Sequence, residues 1–216
     1  MDSATSNGAG PGNRLDRRKA RTRQALIDAA VQLMAEGRGD RASIQEITDA
    51  ADIGFGSFYN HFASKEELFR VASEEVLEGW GQMIDAACAG IDDPAEVFAT
   101  SLRISGRLAW TRPDIAAFIT GVGLDLLDIP NGLAPRALRD LRAAQVAGRF
   151  TVLDAEVALS AVAGGLIGLL RLHAMSPERV TETSVDQLTE SSLRFLGLPA
   201  GQARRLAQLR LPSSGW

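Results

Sequence analysis

One cysteine, two histidines and one tyrosine in 216 residues leave little material for several kinds of chemistry. A lone Cys88 cannot close an intrachain disulfide, and no Cys or His spacing matches a zinc site. Its setting between Ala87 and Ala89 predicts a small buried thiol rather than a nucleophile. His61 and His173 fall on separate predicted helices. There is no nucleophile elbow, and Gly121-Val122-Gly123 lacks the third glycine and the preceding strand of a phosphate-cradling loop. An enzyme therefore has no constellation to rest on, and neither cofactor nor metal is expected. Aromatic residues make up 6% of the chain, which favours close-packed helices over a sheet. No apolar run reaches the length of a charge-free membrane span, and no signal-peptide core opens the chain. These absences predict a soluble, cytoplasmic protein without a membrane partner.

What is present is 45% apolar residues, enough for a real core, and an uneven charge distribution. Residues 14 to 23, RLDRRKARTR, carry six basic side chains and one acidic one, a net of +5; against −4 for the whole chain, the remainder sums to −9. Binding to nucleic acid needs a local basic patch, not a basic protein. Such a run taken alone is also compatible with a solvated terminus. Residues 1 to 13, rich in Gly, Ser, Ala and Asn, predict a disordered arm.

The chain is organised around residues 43 to 69. Ser43 with Glu46 forms a capping-box pattern and starts a short helix through Ile44, Ile47 and Ala50. Asp52-Ile53-Gly54 interrupts it, with Gly54 expected to supply the freedom for a sharp corner. Residues 56 to 62 predict a second short helix, in which Phe58 and Phe62 share the inner face. Ser64 and Glu67 repeat the capping pattern and open a long helix toward Ala89. Two short helices at a steep angle make a helix-turn-helix.

The run from Ala51 to Phe62, followed by Ser64-Lys65-Glu66-Glu67-Leu68, resembles the DNA-binding signature of the tetracycline-repressor (TetR) family. With the helix before it, the resemblance covers roughly residues 15 to 70. It implies that Gly54, Phe55, Gly56, Ser57, Tyr59, Asn60 and His61 face DNA. Tyr59 would reach a phosphate. Lys65 would bind a phosphate at a helix N-terminus, where the helix dipole assists. Ser43 would touch another phosphate, and Arg21 and Arg23 would grip the backbone or enter the minor groove. Phe55 stands where many members carry Lys or Arg, so a thymine methyl, or closure of the turn itself, replaces a charged contact there.

Beyond residue 66 the pattern is helical throughout, without strand alternation or internal repeat. Helices are expected from 16 to 36, from 64 to 89, from 94 to 110, from about 113 to 120, from 133 to 147, from 155 to 173, from 184 to 196 and from 200 to 209. The helix from 155 to 173 is apolar nearly all round, so both its faces need cover. The resemblance implies a body with a small-molecule pocket and a two-fold interface from the last two long helices. Pocket candidates are Trp80, Met83, Phe98, Arg103, Arg107, Trp110, Phe118, Leu124, Leu169 and His173, for the apolar ones against core packing as the simpler explanation. Interface candidates are Ala161, Gly165, Gly168, Leu169, Leu188 and Leu196.

The expected fold is all-α: a helix-turn-helix head at residues 14–65 and an antiparallel helical body at 66–211, followed by a polar tail at 212–216. The expected function is transcription regulation by a homodimer on a pseudo-palindromic operator in double-stranded DNA, as a repressor released by a mostly apolar effector. With few polar anchors in the body, that effector would be a lipophilic or aromatic compound, such as an acid or an acyl thioester. A ligand-independent regulator or an activator of the same fold is the alternative. A helical enzyme or adaptor with an incidental helix-turn-helix is the reading from another class.

Overall fold

Local sequence signals account for most helix boundaries. In the computed structural model, which describes residues 11–212, the described residues form ten α-helices and no strands. Ser43 caps α2 (Ile44–Ala50) with a complete capping box: its Oγ accepts the Glu46 N–H at 3.2 Å, and its own N–H donates to Glu46 Oε2 at 2.9 Å. Ser64 accepts the Glu67 N–H at 3.2 Å and starts α3 (Lys65–Cys88). Asp93 followed by a proline starts α4 (Pro94–Gly106). Asp154 Oδ1 accepts the N–H groups of both Glu156 and Val157 and starts α8 (Ala155–Met175).

Several boundaries differ from expectation. Helix α1 (Pro11–Ala35) begins five residues before Asp16, so the basic run is helical; residues 1–10 of the expected arm and 213–216 of the expected tail lie outside the described residues. The second element of the helix-turn-helix is a 3-10 turn over Phe55–Asn60, here called the recognition segment. Arg107 interrupts the helix expected to reach residue 110, leaving a separate one-turn α5 (Leu108–Thr111) before α6 (Pro113–Val122). Gly123–Asp128 is a second 3-10 stretch. The remaining helices are α7 (Leu133–Val146), α9 (Glu182–Phe195) and α10 (Ala200–Gln208).

The head does not have a core of its own. One apolar cluster runs from Leu26, Ile27, Leu33, Ile47, Phe58 and Phe62 through Leu68 and Leu77 to Trp80, Ile104, Leu108, Phe118 and Ile119. Helix α3 passes through it from end to end, and α1 packs on both α3 and α6. At 24 residues α3 is about 36 Å long at 1.5 Å per residue, long enough to carry a displacement from one end of the molecule to the other. A second cluster, with Phe98, Leu141, Phe150, Leu193, Leu196 and Leu206, joins α4, α7, α8, α9 and α10. Helix α8 packs on α4, α6, α7 and α9 along one side. By length and composition it is long and apolar enough to cross a membrane, contrary to the sequence reading. Its apolar character has a different cause here: one side lines the body's interior, and the other is an uncovered apolar stripe described below.

Candidate DNA interface and effector cavity

The recognition segment presents one side to the core and one to solvent. Phe58 and Phe62 are buried, with ring centroids 6.2 Å apart. Tyr59 is 57% exposed and Phe55 47%, in an edge-to-face pair at 6.1 Å. Gly54, Gly56 and Asn60 are exposed and Ser57 is half-buried on the same segment. The corner before it is made differently from expectation. Asp52 occupies the left-handed region at φ 53°, whereas Gly54 is extended at φ −69° and ψ 139°. Asp is among the few non-glycine residues that adopt this conformation readily. A Cβ at Gly54 or Gly56 would meet no atom of the chain within 4 Å. Packing within the chain therefore does not require glycine at either position.

The other DNA candidates are partly engaged inside the head. The Ser43 hydroxyl accepts from Glu46 N–H and donates to Glu46 Oε2 at 2.9 Å, so its expected phosphate contact would compete with the cap. Lys65 is half-buried and its ammonium donates to the Ala42 carbonyl at 3.3 Å, tying α3 to the start of α2. Arg23 pairs with Glu75 of α3 at 3.3 Å and lies 5.1 Å above the Phe62 ring, while Arg21 is exposed. His61 is half-buried, and its Nδ1 has no hydrogen-bond partner. Burial, and then the charges of Lys19 and Arg23, hold its pKa below the ordinary histidine value. His61 thus lies close to the cations of α1.

The body contains a cavity of about 90 Å³ between α3, α4, α6, α7, α8 and the Gly123–Asp128 stretch. Most of its wall is apolar, including Ile84, Phe98, Leu102, Ile119, Leu127, Leu159 and Leu166. The rest is a polar wall of Asp85, Arg136 and Asp140, with Ser101 and Ser105. Arg136 holds this wall together. Its Nε donates to Asp85 at 2.8 Å, and Nη1 and Nη2 each donate to Glu78 at 2.9 Å. Arg139 bridges Asp85 and Asp140, both at 2.8 Å. A Cβ at Gly81 would lie 2.8 Å from the Arg136 side chain, so this glycine makes the room the guanidinium occupies. Burial pushes the Asp140 carboxyl and the Cys88 thiol above their ordinary values.

The Arg136 hydrogen bonds, assisted by one from Gln82, hold the Glu78 carboxyl down at about 2. A depressed carboxylate stabilises the fold above its unfolded value of 4.5, and that contribution is lost as pH falls from there through about 2. Glu78→Gln is therefore expected to melt below wild type near neutral pH. The gap should narrow as pH falls below about 4.5. Parallel melting curves from neutral to acid pH check this, and a pH-independent gap would contradict it.

Among the expected pocket residues, the cavity takes Phe98 alone. Trp80, Met83 and Phe118 line a separate groove of about 400 Å³ with Val31 of α1. Arg103 and Arg107 are buried but turned toward α9. Both bind Asp186, at 2.9 and 3.0 Å; Arg107 also meets Glu182, and Arg103 the Leu209 carbonyl. They fix α9 to α4 and do not line the cavity. Trp110 packs on His173 at 4.7 Å, Leu124 is 53% exposed, and Leu169 lies half-buried on α8 outside the cavity lining. The sequence analysis missed Asp85, Arg136 and Asp140. One signal was available: Asp85 lies four residues after Gly81 and three before Cys88, on the stripe that α3 buries.

The outward side of α8 carries Val157, Ala161, Gly164, Gly168, Leu172 and Met175 at helical spacing, with Val157 65% and Met175 74% exposed. Phe195 at the end of α9 is also exposed. One expected interface residue sits elsewhere: Leu196 is fully buried in the protomer's own core. Leu188 is half-buried close to Gly165, whose added Cβ would come within 3.1 Å of it.

The arrangement of an α1–α2–recognition-segment head on a helical body matches two family descriptions. Residues 26–72 match the bacterial regulatory proteins of the tetR family, and residues 93–209 match the tetracyclin repressor-like C-terminal domain. The chain belongs to the TetR family. Similar solved structures include RolR in complex with resorcinol, 35% identical with a TM-score of 0.70, covering 92% of this chain and 98% of RolR. RolR without ligand is equally similar, at 35% identity and a TM-score of 0.70, over 88% of this chain and 98% of that one. Sequence relatives include the transcriptional repressor KstR2 of Rhodococcus jostii (strain RHA1), 38% identical over 87 residues, which is 38% of this chain and 40% of that protein. The regulator TcmR of Streptomyces glaucescens is 29% identical over 107 residues, 49% of this chain and 46% of that protein. The chain spans less than half the length of these two sequence relatives. As a TetR-family protein it is a DNA-binding transcription regulator rather than an enzyme, and the helix-turn-helix described above is its DNA-binding element.

Proposed function

We propose that this TetR-family regulator is a homodimeric cytoplasmic repressor whose grip on its operator is released by a small hydroxylated ring compound. Residues 14–65 serve as the DNA-binding head and 66–211 as the effector and dimerisation body. The observation that carries the effector reading is the cavity itself, apolar on most sides with a carboxylate–guanidinium wall on one. Its volume of about 90 Å³ lies below the roughly 150 Å³ of an apolar cavity that takes benzene, so even one ring requires it to widen, which favours a single-ring compound over an acyl thioester. Ring hydroxyls would donate to Asp85 or Asp140 and accept from Arg136, leaving the ring face to the apolar wall. That resorcinol is the ligand of RolR supports the same chemical class here.

Release follows from what the polar wall is attached to. Arg136 on α7 clamps Glu78 and Asp85 of α3, and α3 begins at Lys65 in the head. A hydroxyl that competes for this cluster loosens α3 from α7 and favours a form with its heads spaced wrongly for the operator. In the DNA-bound form, the exposed edge of Gly54, Phe55, Gly56, Ser57, Tyr59 and Asn60 faces the groove, and the open space over both glycines admits close approach of the backbone to DNA. Tyr59 and Lys65 contact phosphate.

Fluorescence anisotropy on operator and random duplexes tests the DNA reading. Tyr59→Phe and Lys65→Ala are expected to weaken binding by similar factors on both. Lys65→Ala should also lower the salt slope by about one unit. An unchanged slope would remove Lys65 from the interface.

A further inference from the structure

We propose that the first turns of α1 form a rigid cationic rail that holds duplex phosphates flanking the half-site entered by the recognition segment. Helix α1 runs without a break from Pro11 to Ala35, yet from residue 14 onward its first buried residue is Leu26. Every side chain from residue 14 to 21 is exposed. Arg14, Arg17, Arg18 and Arg21 are spaced three and four apart and so share one face. Like charges at this spacing destabilise a helix, and a polyanion aligned with the stripe removes that repulsion.

The position of the rail follows from Arg23. Its guanidinium lies 5.1 Å above the Phe62 ring, so α1 crosses the end of the recognition segment there. Lys19, one turn earlier, still acts on His61, and Arg14, Arg17 and Arg18 lie on the preceding turns of the same unbroken helix. From Arg14 to Arg21 the helix rises about 10 Å, over which one DNA strand presents about three phosphates. The occupant is therefore the backbone outside the half-site, read by charge alone.

This inference rests on the DNA-binding reading and extends its footprint. The test uses full-length protein and a duplex selected from a random pool, cut to its minimal footprint or extended on one side by about 10 base pairs, one helical turn. Wild type is expected to show a salt slope steeper by about 2.7 on the extended duplex, or about 40-fold more affinity lost between about 50 and 200 mM salt. The quadruple variant Arg14→Gln, Arg17→Gln, Arg18→Gln, Arg21→Gln should show equal slopes on both duplexes, and the matching quadruple Arg→Lys variant should regain the difference. Wild-type binding to the minimal duplex reports the helix-turn-helix reading independently. Equal wild-type slopes on the two duplexes, or a difference that survives in the Gln variant, would overturn the rail.

Discussion

Gly168→Arg is expected to yield folded monomers of 23.0 kDa and to weaken operator binding about 10²- to 10⁴-fold through the loss of bivalent attachment. Gly168 is exposed on α8, and a Cβ there meets no atom of the chain within 4 Å. In an isolated protomer the arginine would project into water at little cost. Across a two-fold axis it would meet the same apolar stripe of a second copy, where a charge has no partner. The stripe of Val157, Ala161, Gly164, Leu172 and Met175 is otherwise an uncovered apolar surface of the kind that marks an association site. Gly165→Arg is a less clean probe, because an added Cβ already comes within 3.1 Å of Leu188 in the same chain. Light scattering with a melting curve decides the matter. A Gly168→Arg protein that remains a dimer with normal affinity would place the interface elsewhere.

Gly121→Ala should destabilise the protein by about 1–3 kcal/mol or more and lower operator affinity as well. A Cβ at this position would lie 1.9 Å from the Met34 carbonyl oxygen and 2.9 Å from its carbon. Both are backbone atoms of α1, so no side-chain rotation relieves the clash and α6 must withdraw from α1. For a chain of this size the melting temperature would fall by about 2–4 °C per kcal/mol. The DNA effect has a separate cause. Ile119 on α6 lines the cavity, and α1 carries Leu26 and Leu33 of the head's core, so a displaced α6 also misplaces the head. Gly201→Ala, exposed on α10 with open space around it, is the control expected to lower neither quantity. A Gly121→Ala protein that melts and binds like wild type would remove this contact from the path between cavity and head.

The parts legible in the sequence were those set by short-range rules. The capping box at Ser43, the caps at Ser64, Asp93 and Asp154, and the Phe58–Phe62 spacing each depend on residues within four positions, and each occurs in the structure, although at Ser64 only half of the expected box forms, since Glu67 accepts from the Ala63 N–H instead. The turn was right in place but wrong in its residue, because Asp52 tolerates the left-handed conformation that glycine was expected to supply. The cavity was less legible, for a reason of range. Arg136 lies 58 residues from Glu78 and 51 from Asp85, and only the packing of α7 on α3 brings them together. Arg103 and Arg107 looked like ligand anchors because they are cations on an apolar helix; their carboxylate partners lie 75 to 83 residues away on α9. Periodicity shows that a helix buries a charge but not which neighbour neutralises it.

Occupancy of the cavity, acting through α3 and α6, is proposed to set affinity for DNA. Resorcinol titrated into the complex of protein and operator, with DNA release and melting temperature followed on the same samples, checks this. Ala163→Phe, which fills the cavity from α8, is measured in parallel. A ligand bound equally by both forms would raise the melting temperature without releasing DNA, so release alongside stabilisation marks a ligand that prefers the released form. Resorcinol or a close monocyclic phenol is expected to raise the melting temperature and release DNA over the same concentration range, and Ala163→Phe is expected to bind DNA but lose both responses. Release that persists in Ala163→Phe, or release by hydrophilic sugars or polyphosphates with no response to any phenol, would contradict it.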